Sequence, residues 1–253
     1  PGVTGLDIGA PVMALLQGGG YAEYAVADVA LTMPVPEGLS MTEAAAVPEA
    51  LFTAWWNFFF LMQLRPDEFA LMHGGTSGVG HLALQAMSAL GYGVLATCGS
   101  ADKIAAAKRF GARDAFNYND TELAAKVLDA TGGQGISALL DVSAGAHLDA
   151  DLEMMAPDGR IAHLSGGGGA ALSVPLKKLM AKRISITGSL LRPLALARKT
   201  QVAQMIRRDV WPLLGTQVRP ALAAVLPLSD AAQAHLEIEK GHHVGKIVLA
   251  VSD

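Results

Sequence analysis

Beyond residue 68 the chain alternates between two kinds of pattern. Short runs with strand character stand at Phe69–His73, Gly93–Cys98, Asp114–Asn117 and residues 138–142, 160–164 and 184–188, and each gap between them holds an amphipathic or capped helical segment. The first gap shows this most clearly: apolar residues at Val79, Leu82, Ala83, Ala86, Met87 and Leu90 have the spacing of one helix face. Six strands separated by helices predict a parallel doubly wound α/β sheet, because parallel neighbours need crossover connections. A helix around residues 195–214, a strand at 222–226, a helix at 229–240 and a strand at 246–251 follow.

The first 36 residues have a different texture. Short β-like pieces, clearest at residues 21–26 and 30–33, are punctuated by Gly2, Gly5, Gly9 and Gly18-Gly19-Gly20. Strand edges need partners, so the expectation is that part of a domain precedes residue 1. Pro34-Val-Pro36 is a rigid link, and Ser40-Met-Thr-Glu43 has the S-x-x-E form of a capping box that opens a helix. Three units are predicted: residues 1–43, the remainder of an N-terminal domain; residues 44–215, the doubly wound domain; and residues 216–253, a return to the first.

Composition narrows the class without changing the fold. The 253 residues are 51% hydrophobic and 17% charged, enough to bury a large core. The formal net charge of −4 and the lack of a basic block give no footprint for nucleic acid or an anionic membrane. Residues 43–65 are almost wholly apolar, but Pro48, Glu49, Asn57 and Gln63 interrupt them, and they read as buried helix. The single cysteine, Cys98, excludes an intrachain disulfide and a multi-cysteine zinc site, and a reduced cytoplasm is expected.

The candidate chemistry centres on His73-Gly-Gly-Thr-Ser-Gly-Val-Gly80, where the first strand of the alternation meets its helix. Glycines there allow a phosphate to approach the N–H groups at a helix start, where the dipole favours an anion. Against the G-x-G-x-x-G fingerprint, Gly75 and Gly80 hold the outer positions, Ser77 replaces the middle glycine, and an extra glycine stands at Gly78. An NAD-binding chain places Asp or Glu on the ribose at the end of the second strand, roughly 20 residues on. Here Gly99 takes that position, Ser100 can donate a hydrogen bond, and Lys103 lies one helical turn onward, within reach of a 2′-phosphate. NADPH is the expected cofactor. Asp102, the rival ribose ligand, reads as an acidic first-turn residue of a helix capped by Ser100.

Pro34-Val-Pro-Glu-Gly38, Ala44-Ala-Ala-Val-Pro-Glu-Ala50, the glycine loop, Lys108-Arg-Phe-Gly-Ala112, Phe116-Asn-Tyr118, Ala156-Pro-Asp-Gly-Arg160, Gly188-Ser-Leu-Leu-Arg192 and Gly245-Lys-Ile-Val-Leu249 together resemble zinc-independent quinone oxidoreductases. These belong to the medium-chain dehydrogenase/reductase superfamily; the nearest branch is the tumour-suppressor-inducible one, with zeta-crystallin more distant. The resemblance spans essentially the whole chain. It implies a Rossmann domain joined to part of a β-rich GroES-like catalytic domain, and a homodimer formed through the last sheet strand. It would place the pyrophosphate on Thr76, Ser77, Gly78, Val79 and Gly80. The 2′-phosphate would lie near Gly99, Ser100 and Lys103, with Tyr118 close by and Lys246 as a second cation. Thr53, Ser143, Ser165, Gly166, Ser189, Leu190, Leu191 and Arg192 would line the ribose and nicotinamide. Gly9-Ala-Pro-Val12 departs from the superfamily's Gly-Asp-x-Val, which leaves the turn there open.

The implied activity is hydride transfer from NADPH to a small quinone or enone, with no catalytic acid identified. Reduction of an enoyl thioester and a structural or RNA-binding role with bound NADPH are the alternatives. No metal, nucleic-acid or membrane partner is expected. His242-His243 face opposite ways on an extended chain and lack further ligands. His73 reads as a structural histidine bonded to backbone, Cys98 as a small buried hydrophobe, and Asp141 as a residue that fixes a loop.

Overall fold

The structure is a computed structural model and describes residues 3–165 and 171–251. Strands β1 (Val12–Ala14) and β2 (Thr32–Pro34) pair antiparallel ahead of the main domain. Ser40 then starts α1 (Met41–Ala45): its hydroxyl accepts from the Glu43 N–H while the Glu43 carboxylate accepts from the Ser40 N–H, so the capping box forms as the sequence predicts. Pro48 opens α2 (Pro48–Trp55), where its missing N–H costs nothing. The aromatic run continues as a π-helical turn at Trp56–Leu61. Trp55, Phe52 and Phe58 are fully buried, so the apolar stretch is core. Among the described residues no helix is long and apolar enough to cross a membrane.

The central sheet is six-stranded and parallel throughout. It comprises β3 (Phe69–His73), β4 (Gly93–Cys98), β5 (Asp114–Asn117), β6 (Ile136–Asp141), β7 (Met155–His163) and β8 (Ser185–Gly188), in the spatial order β5-β4-β3-β6-β7-β8. The order reverses between β3 and β6, which creates the crevice at the carboxyl ends of the strands where ligands of such sheets bind. Alternation along each strand divides the core. Ala70, Met72, Ala138 and Leu140 face the layer of α2, α3 (Gly80–Ala89) and α8 (Leu196–Asp209). Leu71, Leu95, Leu139 and Ile161 face α5 (Leu123–Ala130) and α6 (Leu148–Met154). Helices α4 (Ala101–Arg109) and α7 (Leu176–Lys182) complete the crossovers.

After α8, β9 (Leu222–Pro227) and β10 (Lys246–Ala250) pair with each other in parallel around α9 (Ala231–Glu239), as a separate two-stranded sheet. One expected strand does not form. Residues 21–24 are bends and 25–26 irregular, all with exposed side chains; Tyr24 is 90% exposed. Their alternation is real, but without a neighbouring strand the backbone groups turn to water instead.

Candidate active site

The glycine loop leaves β3 at the switch point. Gly74 and Gly75 donate to the Thr97 carbonyl, which locks the loop onto the end of β4. Space for it is scarce: a Cβ on Gly75 would come within 2.5 Å of Ala96 Cβ, and one on Gly80 would strike the backbone of Gly74 and Gly75. Ser77, the replacement for the middle fingerprint glycine, accepts the Gly80 N–H on its hydroxyl at 3.0 Å and so caps α3 from within the loop. Among the described residues the N–H groups of Gly78 and Val79 are not used within the fold. Below the loop, Cys98 is buried and desolvation pushes its thiol up, as expected of a small core residue.

A cleft of about 440 Å³ opens beside this loop. It brings together Thr53, Val79, Ser165, Ser189, Leu190, Leu191 and Arg192 of the predicted site. The remaining walls come from Leu15, Leu16, Glu49, Val142, Leu164 and Lys199, which the sequence did not single out. Gly166 lies outside the described residues. Trp56 Nε1 donates to Ser189 Oγ at 3.1 Å, so the π-helical turn holds the 189–192 loop in place. Ser143, just beyond the cleft, donates its hydroxyl to Asp141, which also accepts from the N–H groups of Ser143 and Gly145 and pairs with His163 Nδ1 at 2.7 Å. Asp141 therefore fixes the loop after β6. Burial opposes its charge, yet the bonds from His163 and Ser143 prevail and hold its carboxyl far below the usual range.

Glu49 is a missed residue that joins two of the predicted ones. Thr53 Oγ1 donates to its Oε1 at 2.9 Å, and Lys246 Nζ donates to its Oε2 at 2.5 Å. Desolvation raises the Glu49 pKa, but the charge and hydrogen bond of Lys246, with the Thr53 bond, outweigh it and leave the carboxyl below its ordinary value. Lys246 thus lies over Gly78 as one half of an ion pair. The i, i+4 spacing of Glu49 and Thr53 on α2 was a readable signal; the partner 197 residues away was not.

The corner at the end of β4 gathers Gly99, Ser100, Lys103 and Tyr118. Tyr118 lies against Gly99 so closely that a Cβ there would meet its hydroxyl. Ser100 caps α4 by accepting the Lys103 N–H at 3.3 Å. The Lys103 ammonium donates to the Gly241 carbonyl at 2.6 Å, and Gly245 N–H donates to the Thr76 carbonyl at 2.9 Å, so the turn before β10 folds over this corner. It carries His243, whose Nδ1 is buried without a partner; desolvation, then the charge of Lys103, lowers its pKa. His73 differs from expectation. Its ring pairs with two side chains, Thr97 Oγ1 at 2.6 Å and Asp151 Oδ1 at 2.9 Å, not with backbone, because α6 presents a buried carboxylate directly beneath β3.

A glycine loop and an adjoining cleft at the switch point of a six-stranded parallel sheet place the chain among the Rossmann-type dehydrogenases and reductases. The sequence profile described as zinc-binding dehydrogenase matches residues 78–208. Rat quinone oxidoreductase is 30% identical over 235 residues, covering 91% of this chain and 69% of that protein. The structure of the Thermus thermophilus quinone oxidoreductase, described with its NADPH complex, superposes with a TM-score of 0.79 at 31% identity, over 93% of this chain and 76% of that one. A mycocerosic acid synthase-like polyketide synthase of Mycobacterium tuberculosis is 28% identical over 253 residues, 99% of this chain and 12% of that protein. This chain belongs to the quinone oxidoreductase family of the medium-chain dehydrogenase/reductase superfamily. Although the profile's description names zinc, among the described residues no group of three His, Cys, Asp or Glu side chains is arranged to hold a metal.

Proposed function

We propose that this chain binds NADPH across the switch point and passes its hydride to a quinone or similar conjugated carbonyl in the cleft. The observation that carries the reading is the cradle at residues 74–80. Among the described residues, two N–H groups there are free of partners, and at Gly75 and Gly80 a Cβ would collide with the sheet or with backbone. A pyrophosphate fits such a cradle in size and charge. Gly99 supports NADPH over NADH because it leaves no carboxylate to oppose a 2′-phosphate, while Lys103 keeps two N–H donors beyond its bond to Gly241.

NADPH, when bound, supplies the hydride chemistry. The chain's own residues orient and exclude: Val79, Val142, Leu164, Leu190 and Leu191 give the cleft aliphatic walls for a planar acceptor, and Thr53 and Ser189 are each held by a hydrogen bond. In the same reading residues 44–215 form the nucleotide-binding unit, and residues 216–253 return to the unit begun by residues 1–43, which lends Leu15 and Leu16 to the cleft. The open edge of β8 supports pairing of two chains into a homodimer.

Reduction of an enoyl thioester is the second reading, favoured by the polyketide synthase relative. Parallel oxidation of NADPH and of NADH by 1,2-naphthoquinone and by a crotonyl thioester separates the two. Quinone-dependent NADPH oxidation, with NADH much poorer and Lys103→Ala narrowing the gap, is the expected result. Turnover of the thioester alone favours the second reading, and failure to bind either nucleotide overturns both.

A further inference from the structure

Among the described residues Lys199 is the one lysine or arginine that is buried, with 5% of its surface exposed. It stands near the start of α8 and borders the cleft. Its ammonium donates to Gln17 Oε1 at 2.8 Å and to the Arg192 carbonyl at 2.9 Å, and Gln17 Nε2 donates to the same carbonyl at 3.0 Å. Both acceptors are neutral, and one N–H remains. A buried charge ordinarily has a counter-charge, since desolvating it is costly. Here desolvation acts unopposed and lowers the lysine's pKa. The other charged side chains bordering the cleft are Arg192, a second cation, and Glu49, whose carboxylate is already paired with Lys246.

A cation in a largely aliphatic cleft whose one carboxylate is already paired elsewhere is complementary to negative charge that arrives with the reaction. Hydride addition to a conjugated carbonyl delivers two electrons and one hydrogen, and leaves an anionic oxygen on the acceptor. We propose that Lys199 is a catalytic residue that meets this oxygen, donating a hydrogen bond as its charge develops and then transferring the proton. This rests on the reading of the cleft as a reductase site. In the transfer an N–H bond of Lys199 breaks and an O–H bond of the reduced acceptor forms; the neutral amine regains its proton from water. Gln17 and the Arg192 carbonyl keep the amine aimed throughout, and a lowered pKa eases proton release.

Lys199→Met and Lys199→Arg test this in the full chain, with NADPH and 1,2-naphthoquinone from about pH 6 to about pH 11, a span that runs past the ordinary lysine pKa of about 10.4. NADPH affinity and thermal unfolding are measured alongside. The methionine variant is expected to lose kcat by about 10²-fold or more with NADPH affinity unchanged, the usual weight of a general acid. Arginine keeps the charge but does not release a proton in this range, so it should restore KM and leave kcat low. Wild-type kcat should fall as pH rises through the amine's titration, and the methionine variant should lack that limb. A methionine variant with kcat within about twofold of wild type and the same pH limb overturns the proposal, as does full recovery of kcat by arginine. Should the methionine variant not fold, a wild-type kcat that is flat across the range overturns it alone. Wild-type chain that oxidises NADPH with neither acceptor signals failure of the underlying reading instead.

Discussion

Two glycines of the loop at residues 74–80, Gly80 and Gly78, should respond to alanine in different ways. At Gly80 a Cβ would lie 2.9 Å from both Cα and the carbonyl carbon of Gly75 and would overlap the Gly74 carbonyl oxygen. All three are backbone atoms pinned by bonds to Thr97, so none can swing aside. Overpacking of this kind costs about 1–3 kcal/mol, and rigid neighbours favour the upper end. Alanine recovers up to about 1 kcal/mol of helix propensity at the start of α3, which leaves a net loss of about 2 kcal/mol. For a chain of this size that is a fall in Tm of about 4–8 °C. At Gly78 the added Cβ meets only the far end of Lys246, with Cδ at 2.8 Å and Cε at 2.9 Å, and that side chain can turn away. Stability should then stay within about 0.5 kcal/mol of wild type, as for an ordinary surface change. A methyl at the apex of the loop nevertheless obstructs a phosphate and loosens Lys246 from Glu49, so NADPH affinity should fall by about tenfold, or 1.4 kcal/mol. Thermal unfolding without nucleotide and fluorescence titration with NADPH read the two effects separately. A Gly80→Ala chain that melts within about one degree of wild type, or a Gly78→Ala chain that is the less stable of the two, would refute the argument from backbone crowding.

Three further outcomes are expected. Gly99→Asp puts a carboxylate where a 2′-phosphate would lie and displaces Tyr118, and the ratio of kcat/KM for NADPH over NADH should drop by about tenfold or more; an unchanged ratio removes Gly99 from the cofactor assignment. His81 is fully buried, its Nε2 has no partner, and desolvation brings its pKa to about 4 despite the bond to Ser77. The unfolded chain takes up that proton near pH 6.5 while the folded chain does not, so stability should fall between about pH 6.5 and about pH 4, by about 3 kcal/mol in total. Denaturant unfolding at several pH values should show His81→Leu flattening that decline. Ser189→Ala leaves the Trp56 indole N–H without its acceptor; a loss of about 1–3 kcal/mol and a raised KM for the acceptor should follow, and a chain with neither change would show that the 189–192 loop is held by other contacts.

The alternation after residue 68 was legible because each strand and helix carries its own periodicity within about ten residues. The same holds for the capping box at Ser40 and for the glycine loop. The reading at residues 21–26 failed because alternation reports which side chains could share a face, not whether a neighbouring strand exists. His73 was misjudged for a similar reason, since Asp151 reaches it across 78 residues of sequence.

The sequence alone determined the doubly wound α/β architecture, the cradle at residues 74–80 and the lack of a carboxylate at Gly99, all of which are local properties of composition and spacing. Tertiary structure decided how those parts are used. It paired Glu49 with Lys246 over the glycine loop, folded Gly241 onto Lys103, tied Trp56 to Ser189, and buried Lys199 against Gln17 at the edge of the cleft. Each of those contacts joins residues more than 130 positions apart. Periodicity cannot anticipate them, because they depend on where the sheet order reverses and which chain ends that reversal brings together.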